Sequence, residues 1–316
     1  MNTMNNSPTS VICTLFEKQY HLGFAVLLNS LYANNFRGDI YAGYRGALPP
    51  WVSDIRKVSE GHDVFSVAED LFVHFLKQAD TGHMTNIKPD FMLELWEKYC
   101  PMAERLFYFD PDIVVKADWR HFEEWSDLGV AMVEDMNSPI PMSHPIRLKW
   151  KHFYAENGIR IVPKDDIYVN GGFVGVHRSY RAFLTRWKEV QTLMKRCIGS
   201  PLVIGIADRW NPFHYTDQDA LNIVKDLYPS ISIMEKGAMD FGKIGYVMSH
   251  AAGKKKPWTK NHLREILLNS VKPANTDKLY WKHTKTPVKV YSNLTYWRKH
   301  SAVRVSAMLG RVIGRS

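Results

Sequence analysis

Residues 105–115 read RLFYFDPDIVV, and this stretch decides the fold that we expect for the rest of the chain. The four apolar residues 106–109 are typical of a buried strand. The strand ends in Asp110 and Asp112, which a single proline separates. Ligands of open α/β sheets bind beyond the carboxyl ends of strands, and hard divalent cations prefer carboxylate together with phosphate oxygens. The pair therefore predicts a site for a metal and a diphosphate, and an ordinary turn is the alternative because Asp and Pro are common turn residues.

Strands and helices alternate on both sides of this stretch, which predicts an α/β fold with a mixed sheet flanked by helices. Helices are predicted at 24–32, 88–99, 180–196 and 216–227. A long loop is predicted at 136–166, and loops of that length are usually functional or disordered. Besides the strand at 106–109, buried strands are predicted at 11–15, 39–42, 64–67, 129–133, 167–176, 231–234 and 244–248.

The composition is that of a globular protein with an unusual charge distribution. The 316 residues are 45% hydrophobic and 23% charged, which allows one large α/β domain or two smaller ones. Residues 254–316 hold 15 Lys or Arg against two acids, whereas the rest of the chain holds 26 basic against 30 acidic residues. The net charge of +9 therefore belongs to the C-terminal segment, and such a segment points to an anionic surface, either lipid headgroups or nucleic acid.

The cysteines, the N-terminus and the apolar runs indicate the cellular compartment. Cys13, Cys100 and Cys197 are far apart and form no C-x-x-C pair, so neither a disulfide framework nor a zinc site is indicated. The first ten residues, MNTMNNSPTS, lack the basic start and apolar core of a signal peptide. No run approaches the ~18 apolar residues that span a bilayer. We expect a cytoplasmic protein.

Two further motifs carry chemistry that the residues alone leave open. Asn170-Gly171-Gly172 interrupts a predicted strand, where glycine indicates either a plain bulge or the close approach of a ligand. The segment TDQDALNIVKDL, from Thr216, places acids in the first turn of a helix. Asp217 or Thr216 would serve as the N-cap there, or Asp217 would take part in catalysis.

The motifs follow one another in a fixed order: D-P-D, N-G-G, D-Q-D and finally HAAGKKKPW after the last predicted strand. In this order they resemble the GT-A-fold glycosyltransferases, most of all glycosyltransferase family 8, which contains glycogenin and bacterial lipooligosaccharide galactosyltransferases. The resemblance covers residues 11–258. A D-x-D alone is common, whereas His-x-x-Gly followed by Lys-Pro-Trp is specific. The resemblance implies a Rossmann-like GT-A sheet and a sugar transferred from a nucleotide-diphosphate donor.

Family resemblance also implies residue roles. Asp110, Asp112 and His250 would hold Mn²⁺ or Mg²⁺, and Gly253 and Lys256 would contact the donor diphosphate. A divalent cation and a fixed lysine neutralise the charge of a leaving nucleotide diphosphate, and glycine lets backbone N–H groups approach phosphates. For His250 the alternative is an ordinary strand-end histidine.

The sugar end of the donor is assigned by the same resemblance. Asn170, Gly171, Asp217 and Gln218 would line the transferred sugar, and Lys88 is a looser match to a donor-binding basic residue. Asp217 would hydrogen-bond sugar hydroxyls, contacts that strengthen in an oxocarbenium-like transition state. The carbonyl of Gln218 would face the anomeric carbon. Because an amide oxygen is a weak nucleophile, a dissociative front-face transfer is favoured over a covalent intermediate. The resemblance to family 8 implies retention of the anomeric configuration.

The nucleoside end departs from the family pattern. Phe16, Glu17 and Tyr20 stand where the family has an acidic residue and a tyrosine, with a shift of one residue. Tyr20 is assigned to the nucleoside, and a UDP-sugar is the favoured donor.

Two other classes of protein compete with this interpretation. A nucleotidyltransferase would need a Gly-rich basic loop directly after the first strand, and FEKQYHLG has one glycine and one lysine. A nucleic-acid binder would use the basic tail but would leave the acidic motifs without a function. We therefore expect no nucleic-acid partner.

The tail is predicted as a separate segment: residues 1–260 form the catalytic domain and residues 261–316 form a basic, aromatic extension. Within 297–313, Val305, Met308, Leu309 and Val312 repeat at helical spacing, opposite to arginines. This pattern predicts either an interfacial helix on an anionic membrane or a helix docked on the domain. Membrane attachment is the preferred hypothesis, with a glycan or lipid-linked saccharide of bacterial surface polysaccharide assembly as the acceptor.

Overall fold

The computed structural model describes residues 10–79, 82–199, 205 and 210–312. These residues form one nine-stranded sheet and a separate two-stranded sheet. The strands of the large sheet are β1 (Ser10–Glu17), β2 (Gly38–Arg45), β3 (Arg56–Ser59), β4 (His62–Ala68), β5 (Leu71–Lys77), β6 (Arg105–Phe109), β8 (Val130–Val133), β9 (Phe173–His177) and β10 (Ile231–Met234). Their spatial order is β10-β8-β9-β6-β1-β2-β5-β4-β3. The small sheet pairs β7 (Ile113–Val115) with β11 (Met248–His250).

Parallel and antiparallel pairs both occur in the large sheet, so the predicted mixed sheet is confirmed. β6, β1, β2 and β5 are parallel, while β9 runs antiparallel to β6 and β8. β1 pairs with β6 so that Cys13 lies beside Tyr108. The carboxyl ends of β1 and β6 consequently lie at the same edge, where Asp110 follows β6.

Helices cover both faces of the sheet. They are α1 (His21–Ala33), α2 (Lys88–Glu94), α3 (Trp119–Asp127), α4 (Pro145–Glu156), α5 (Ala182–Ile198), α6 (Thr216–Leu227), α7 (His262–Asn269), α8 (Asn275–Lys282) and α9 (Asn293–Val312). α1 and α3 pack with one set of alternating strand residues, including Phe107 and Phe109. α2, α5 and α6 pack with the other set, including Leu106 and Tyr108. Among the described residues, no helix is long and apolar enough to cross a bilayer.

The small sheet fixes the position of the D-P-D turn. β7 and β11 run antiparallel, with His250 opposite Ile113, and the Ala251 N–H donates to the Asp112 carbonyl. On the other side, Gly23 of α1 lies so close that a Cβ would be 2.5 Å from the Pro111 carbonyl oxygen. The turn is therefore held between a strand and a helix.

Several sequence predictions about secondary structure are wrong. The predicted loop at 136–166 contains α4; its proline, Pro145, stands at a helix start, where proline is tolerated, and the His144 side chain caps that start. The predicted strand at 167–176 begins only at Phe173, after the two glycines. The predicted last strand at 244–248 lies instead at Met248–His250, outside the large sheet.

Other differences are additions or changes of length. β3 and β5 were not predicted, although Leu71, Val73 and Phe75 of β5 alternate inward. The predicted helix at 88–99 is α-helical to Glu94 and continues as a π-helical turn, Leu95–Tyr99.

The C-terminal extension packs on the rest of the chain. Trp281 of α8 is 1% exposed and shares a small apolar cluster with Val26 of α1 and Val114 of β7. The Asn29 side chain donates to the carbonyls of His283 and Val288. The boundary at residue 260 stays a prediction, and the extension shares its apolar core with the sheet domain.

Candidate functional site

A cleft of about 510 Å³ opens at the carboxyl ends of β1 and β6. Its wall also includes the turn before β9 and the first turn of α6. Ten of the eleven residues predicted for the site line this cleft; the exception is Lys88. The structure thus brings the four motifs into one site, as the order of the motifs led us to expect, while the roles of the residues stay predictions.

Asp110, Asp112 and His250 form a group that could hold a metal ion. One ligand atom from each lies within 4.8 Å of the others. His250 Nε2 is 3.3 Å from Asp112 Oδ1 and 3.7 Å from Asp110 Oδ2. His250 Nδ1 lies 3.1 Å from the side-chain carbonyl oxygen of Asn170. Because that oxygen can only accept, Nδ1 carries the proton and Nε2 keeps a free lone pair, which suits a metal ligand.

Lys256 holds Asp112 ionised. Asp112 Oδ2 lies 2.6 Å from Lys256 Nζ, which also donates to the Ala251 carbonyl at 2.7 Å. Burial alone would raise the pKa of Asp112, but the charge and hydrogen bonds of Lys256, and of His250 when its ring is protonated, outweigh burial and keep the pKa well below its ordinary value. A carboxylate that is deprotonated in this way is ready to bind a cation.

Lys88 lies behind the wall of the cleft and is fully buried. Its Nζ donates to the Gly171 carbonyl at 2.7 Å and lies 3.3 Å from both Asp110 Oδ1 and Asp217 Oδ2. Burial lowers the pKa of Lys88, but Asp110 and Asp217 raise it by more, so the ammonium stays charged. Lys88 does not line the cleft, and its donor-binding role stays a prediction; its ammonium joins the carboxylates of Asp110 and Asp217.

Asn170 links several groups of the site. Its amide nitrogen donates to Asp135 Oδ2 at 2.6 Å, and its carbonyl oxygen accepts from the Gly172 N–H at 2.9 Å as well as facing His250. The carbonyl oxygen of Gln218 accepts from the Gly171 N–H at 3.0 Å. Asn170 therefore orients the His250 ring in addition to lining the cleft.

The three glycines of the candidate site differ in how closely other atoms approach them. A Cβ on Gly172 would lie 2.5 Å from Cε1 and 2.9 Å from Nδ1 of His250, whereas a Cβ on Gly171 would lie 3.4 Å from Asp217 Oδ2. A Cβ on Gly253 would meet nothing within 4 Å. The backbone at Gly253 thus borders open space in the cleft, and Gly172 is required by the His250 ring. Both glycines were predicted to mark a bulge or a close approach, but only Gly171 was assigned to the site, and the contact of Gly172 with His250 was not predicted.

We expect Gly172→Ala to lower Mn²⁺ affinity by about 10–100-fold, because the new methyl group displaces the buried His250 ring from the carboxylates. The matched control is Gly171→Ala, where the new methyl group makes an ordinary contact. Titration of Mn²⁺ without donor, followed by electron paramagnetic resonance, measures both. Equal affinities in the two variants would contradict this prediction.

Asp219 caps the start of α6. Its Oδ2 accepts from the backbone N–H groups of His214 at 2.7 Å and Tyr215 at 3.0 Å, and its Oδ1 accepts from the Tyr168 hydroxyl at 2.7 Å. The N-cap residue is Tyr215, so the N-cap predicted at Thr216 or Asp217 is wrong. Burial raises the pKa of Asp219 to about 6, although the three hydrogen bonds oppose that rise.

The raised pKa of Asp219 predicts a pH dependence of stability. A folded-state pKa above the unfolded value means that the stabilisation present near pH 4 is lost as the pH rises through about 6. The difference between this pKa and the ordinary value of an aspartate corresponds to about 3 kcal/mol in the free energy of unfolding. In urea unfolding with EDTA, wild type should therefore lose more stability than Asp219→Asn between these pH values. Identical pH profiles would contradict the prediction.

Sequence reasoning missed other residues that line the cleft: His83, Asp135 and Asn137. Asp135 follows β8 as Asp110 follows β6, so the rule that ligands bind beyond strand ends could have found it. Asp135 Oδ1 accepts from the backbone and side chain of Asn137. His83 lies in a connection for which the sequence gives no comparable signal.

Comparison with known proteins finds similar structures but no similar sequences. No family model and no curated protein matches the sequence. The glycosyltransferase GlyE of Streptococcus pneumoniae TIGR4 matches with a TM-score of 0.51 and 13% identity over 94% of this chain and 64% of that chain. Its apo form matches with a TM-score of 0.51, 15% identity and the same coverage. The bifunctional glycosyltransferase WbbM, in an apo structure, matches 95% of this chain and 53% of that chain, with a TM-score of 0.49 and 13% identity.

The likeness to GlyE defines the fold. A mixed α/β sheet flanked by helices matches the solved glycosyltransferase GlyE, so the chain has a glycosyltransferase fold. The chain spans less than two thirds of the length of these three solved chains. Membership of family 8 stays a prediction.

Proposed function

We propose that the protein is a metal-dependent glycosyltransferase of the GT-A type, similar to family 8, which moves a hexose from a nucleotide-diphosphate sugar, a UDP-sugar by preference, to a glycan or glycolipid. The observation that carries the proposal is the group Asp110, Asp112 and His250, which lies beside Lys256 in the cleft of a glycosyltransferase fold. Asp and His are suitable ligands for Mn²⁺, and carboxylates for Mg²⁺.

The charge of the cleft supports metal dependence. Five carboxylates line it, against the two cations Lys254 and Lys256. A donor diphosphate would be repelled by this excess of negative charge. When bound by Asp110, Asp112 and His250, a divalent cation supplies the positive charge that lets the nucleotide diphosphate leave.

The chain's own residues would hold the rest of the donor. Lys256 places a fixed positive charge beside the diphosphate, and the open space at Gly253 admits a phosphate near the backbone. Tyr20 lines the cleft with Lys256 Nζ 5.6 Å from its ring centroid, so one face of the nucleoside would rest there.

At the sugar end, Asp217 lies beside Gln218 in the first turn of α6. Asp217 would accept hydrogen bonds from sugar hydroxyls while Lys88 holds its carboxylate in place. Gln218 Oε1, fixed by the Gly171 N–H, would stabilise positive charge at the anomeric carbon without forming a covalent bond. We infer retention of configuration from the family resemblance. An inverted anomer in the NMR spectrum of the fresh product would overturn that part of the proposal.

An acceptor would enter from a second cleft of about 510 Å³. The two clefts share Met136, His250, Ala252 and Gly253 in their walls, so the second opens directly beside the candidate metal site. Phe241 and Lys260 also line it. We propose that this cleft takes the glycan part of a saccharide acceptor from surface polysaccharide assembly, where an aromatic ring and charged groups suit sugar faces and hydroxyls.

The competing classes fit less well. After β1 the chain makes a short 3-10 turn, Lys18–Tyr20, and enters α1 directly, which leaves no Gly-rich phosphate loop of the kind a nucleotidyltransferase needs. A nucleic-acid binder would use the basic C-terminal segment and would leave the acidic cleft without a function. Three unpaired cysteines suit a reducing compartment, and we propose a cytoplasmic location.

A thermal-shift screen of nucleotide sugars, with and without Mn²⁺, tests the proposal. One donor should raise the unfolding temperature only when Mn²⁺ is present, and Asp112→Ala and His250→Ala should abolish that rise. If no nucleotide sugar stabilises the wild type with Mn²⁺, the proposed function is wrong.

A further inference from the structure

The helix α9 presents two different faces. Its docked face consists of Val303, Ser306 and Gly310, which are buried. A Cβ on Gly310 would lie 2.7 Å from the Lys272 Cβ and 3.5 Å from Ile266 of α7, so α9 approaches the neighbouring chain closely at this point. The helix is therefore docked, as one of the two alternatives predicted.

The residues that docking leaves outside are apolar. At 100° per residue, the direction opposite the docked face contains five apolar residues, each 43–84% exposed. They are Leu294, Trp297, Val305, Met308 and Val312. Val305, Met308 and Val312 belong to the stripe that the sequence predicted, and they face away from the protein. We call these five residues the outer face of α9.

Cations border the outer face. Arg298, Arg304 and Arg311 are exposed, and none forms an ion pair with a carboxylate in the part of the chain that the structure describes. Lys285 Nζ lies 4.8 Å from the Trp297 ring centroid. An apolar face with arginines and a tryptophan at its border is the pattern of a helix that lies in the headgroup region of a membrane.

The positive charge around the outer face distinguishes between its two candidate binding partners, a second copy of the chain and a membrane. A second copy of the chain docked through the same face would place the arginines of both copies against one another, and like charges in an interface cost free energy. Residues 254–316 hold 15 basic residues and two acids, so the surrounding surface is positive as well. Anionic lipid headgroups complement this charge and also accept the apolar side chains.

We propose that the outer face of α9 binds the surface of an anionic membrane. Lys299 of α9 donates to the backbone carbonyl of Lys260, and Lys260 lines the second cleft. The membrane-bound face would thus lie one helix away from the cleft, within reach of a saccharide carried on a lipid. The membrane proposal does not rest on the proposed sugar transfer and can be tested without a donor or an acceptor.

Co-sedimentation of the full chain with vesicles tests the proposal. We expect binding to vesicles of phosphatidylcholine and phosphatidylglycerol, weaker binding to phosphatidylcholine alone, and loss of binding at high salt. Val305→Asp combined with Met308→Asp should lower the affinity at least tenfold. Arg298, Arg304 and Arg311 changed together to Gln should lower it about a hundredfold on the anionic vesicles, at about fivefold per arginine.

The matched control is Met102→Asp combined with Leu128→Asp, two residues that are 71% and 75% exposed and precede β6 and β8 at the opposite edge of the sheet. This control should bind vesicles as the wild type does. Equal thermal midpoints in all variants show that folding is intact, since every changed side chain is exposed. Failure of the wild type to bind anionic vesicles, or unchanged binding by the double aspartate variant, would overturn the proposal. The proposal would also be overturned if the wild type formed a dimer and bound no vesicles, and if the double aspartate variant dissociated that dimer. The outer face of α9 would then bind a second copy of the chain.

Discussion

Lys88→Met should lower the free energy of unfolding by about 3–5 kcal/mol, the typical cost of removing one partner from a buried ion pair. Lys88 is fully buried, and its ammonium lies 3.3 Å from a carboxylate oxygen of Asp110 and of Asp217. Methionine has a similar length but no charge, so both carboxylates lose their shared cation. The Gly171 carbonyl loses its hydrogen bond as well. Urea unfolding in EDTA, which excludes any contribution from metal, measures the change.

Lys98→Met is the matched control for this variant. Lys98 also pairs with a carboxylate, that of Glu94, but its side chain is 65% exposed. An exposed pair of this kind contributes little to the free energy of unfolding. If Lys88→Met costs no more than Lys98→Met, Lys88 does not bridge the two ends of the site.

Asp112→Asn should lower Mn²⁺ affinity at least about a hundredfold, because it removes a charged ligand from the group and leaves Lys256 without its carboxylate partner. Electron paramagnetic resonance of free Mn²⁺ in a titration without donor gives the affinity directly. Asn keeps the size of the side chain, and because Asp112 belongs to a buried ion pair, the unfolding midpoint of the variant is measured in the same buffer to show that it is folded during the titration.

The control for this variant is Glu124→Gln, which removes one exposed acid from α3. It should bind Mn²⁺ as the wild type does. Equal affinities for Asp112→Asn and the wild type would place the metal elsewhere and would remove the basis of the proposed site.

The motifs predicted most of the candidate site because local sequence determines where strands end. Asp110 follows four consecutive apolar residues that form the buried end of β6. Asp217 stands in the first turn of a helix whose apolar spacing is regular. Both features follow from side chains that are close in sequence, so pattern analysis could place them.

Features that depend on distant contacts could not be predicted in this way. The pairing of β7 with β11 and the closeness of Gly172 to His250 join segments far apart in the chain. Lys88 matched a basic position, but only the packed structure reveals that its ammonium lies between two carboxylates rather than in the cleft. The prediction of a loop at 136–166 is wrong for another reason. The start of this segment is rich in proline, which is typical of a loop, but a helix begins at Pro145.

Helix α9 shows the limit of periodicity. The spacing of Val305, Met308 and Val312 correctly predicted an amphipathic helix, but an apolar stripe can face either the protein or a membrane. Burial of the small residues Ser306 and Gly310 on the other side decides the direction. Small residues give no hydropathy signal, so the sequence pattern left both alternatives open.

Calorimetric titration of the donor that the thermal-shift screen selects, with and without Mn²⁺, tests the central claim most directly. Wild type should bind this donor at least about a hundredfold more tightly with Mn²⁺ than with EDTA, and His250→Ala should bind it equally weakly in both conditions. Equal donor affinity with and without Mn²⁺ in the wild type would contradict a metal-dependent donor site at Asp110, Asp112 and His250.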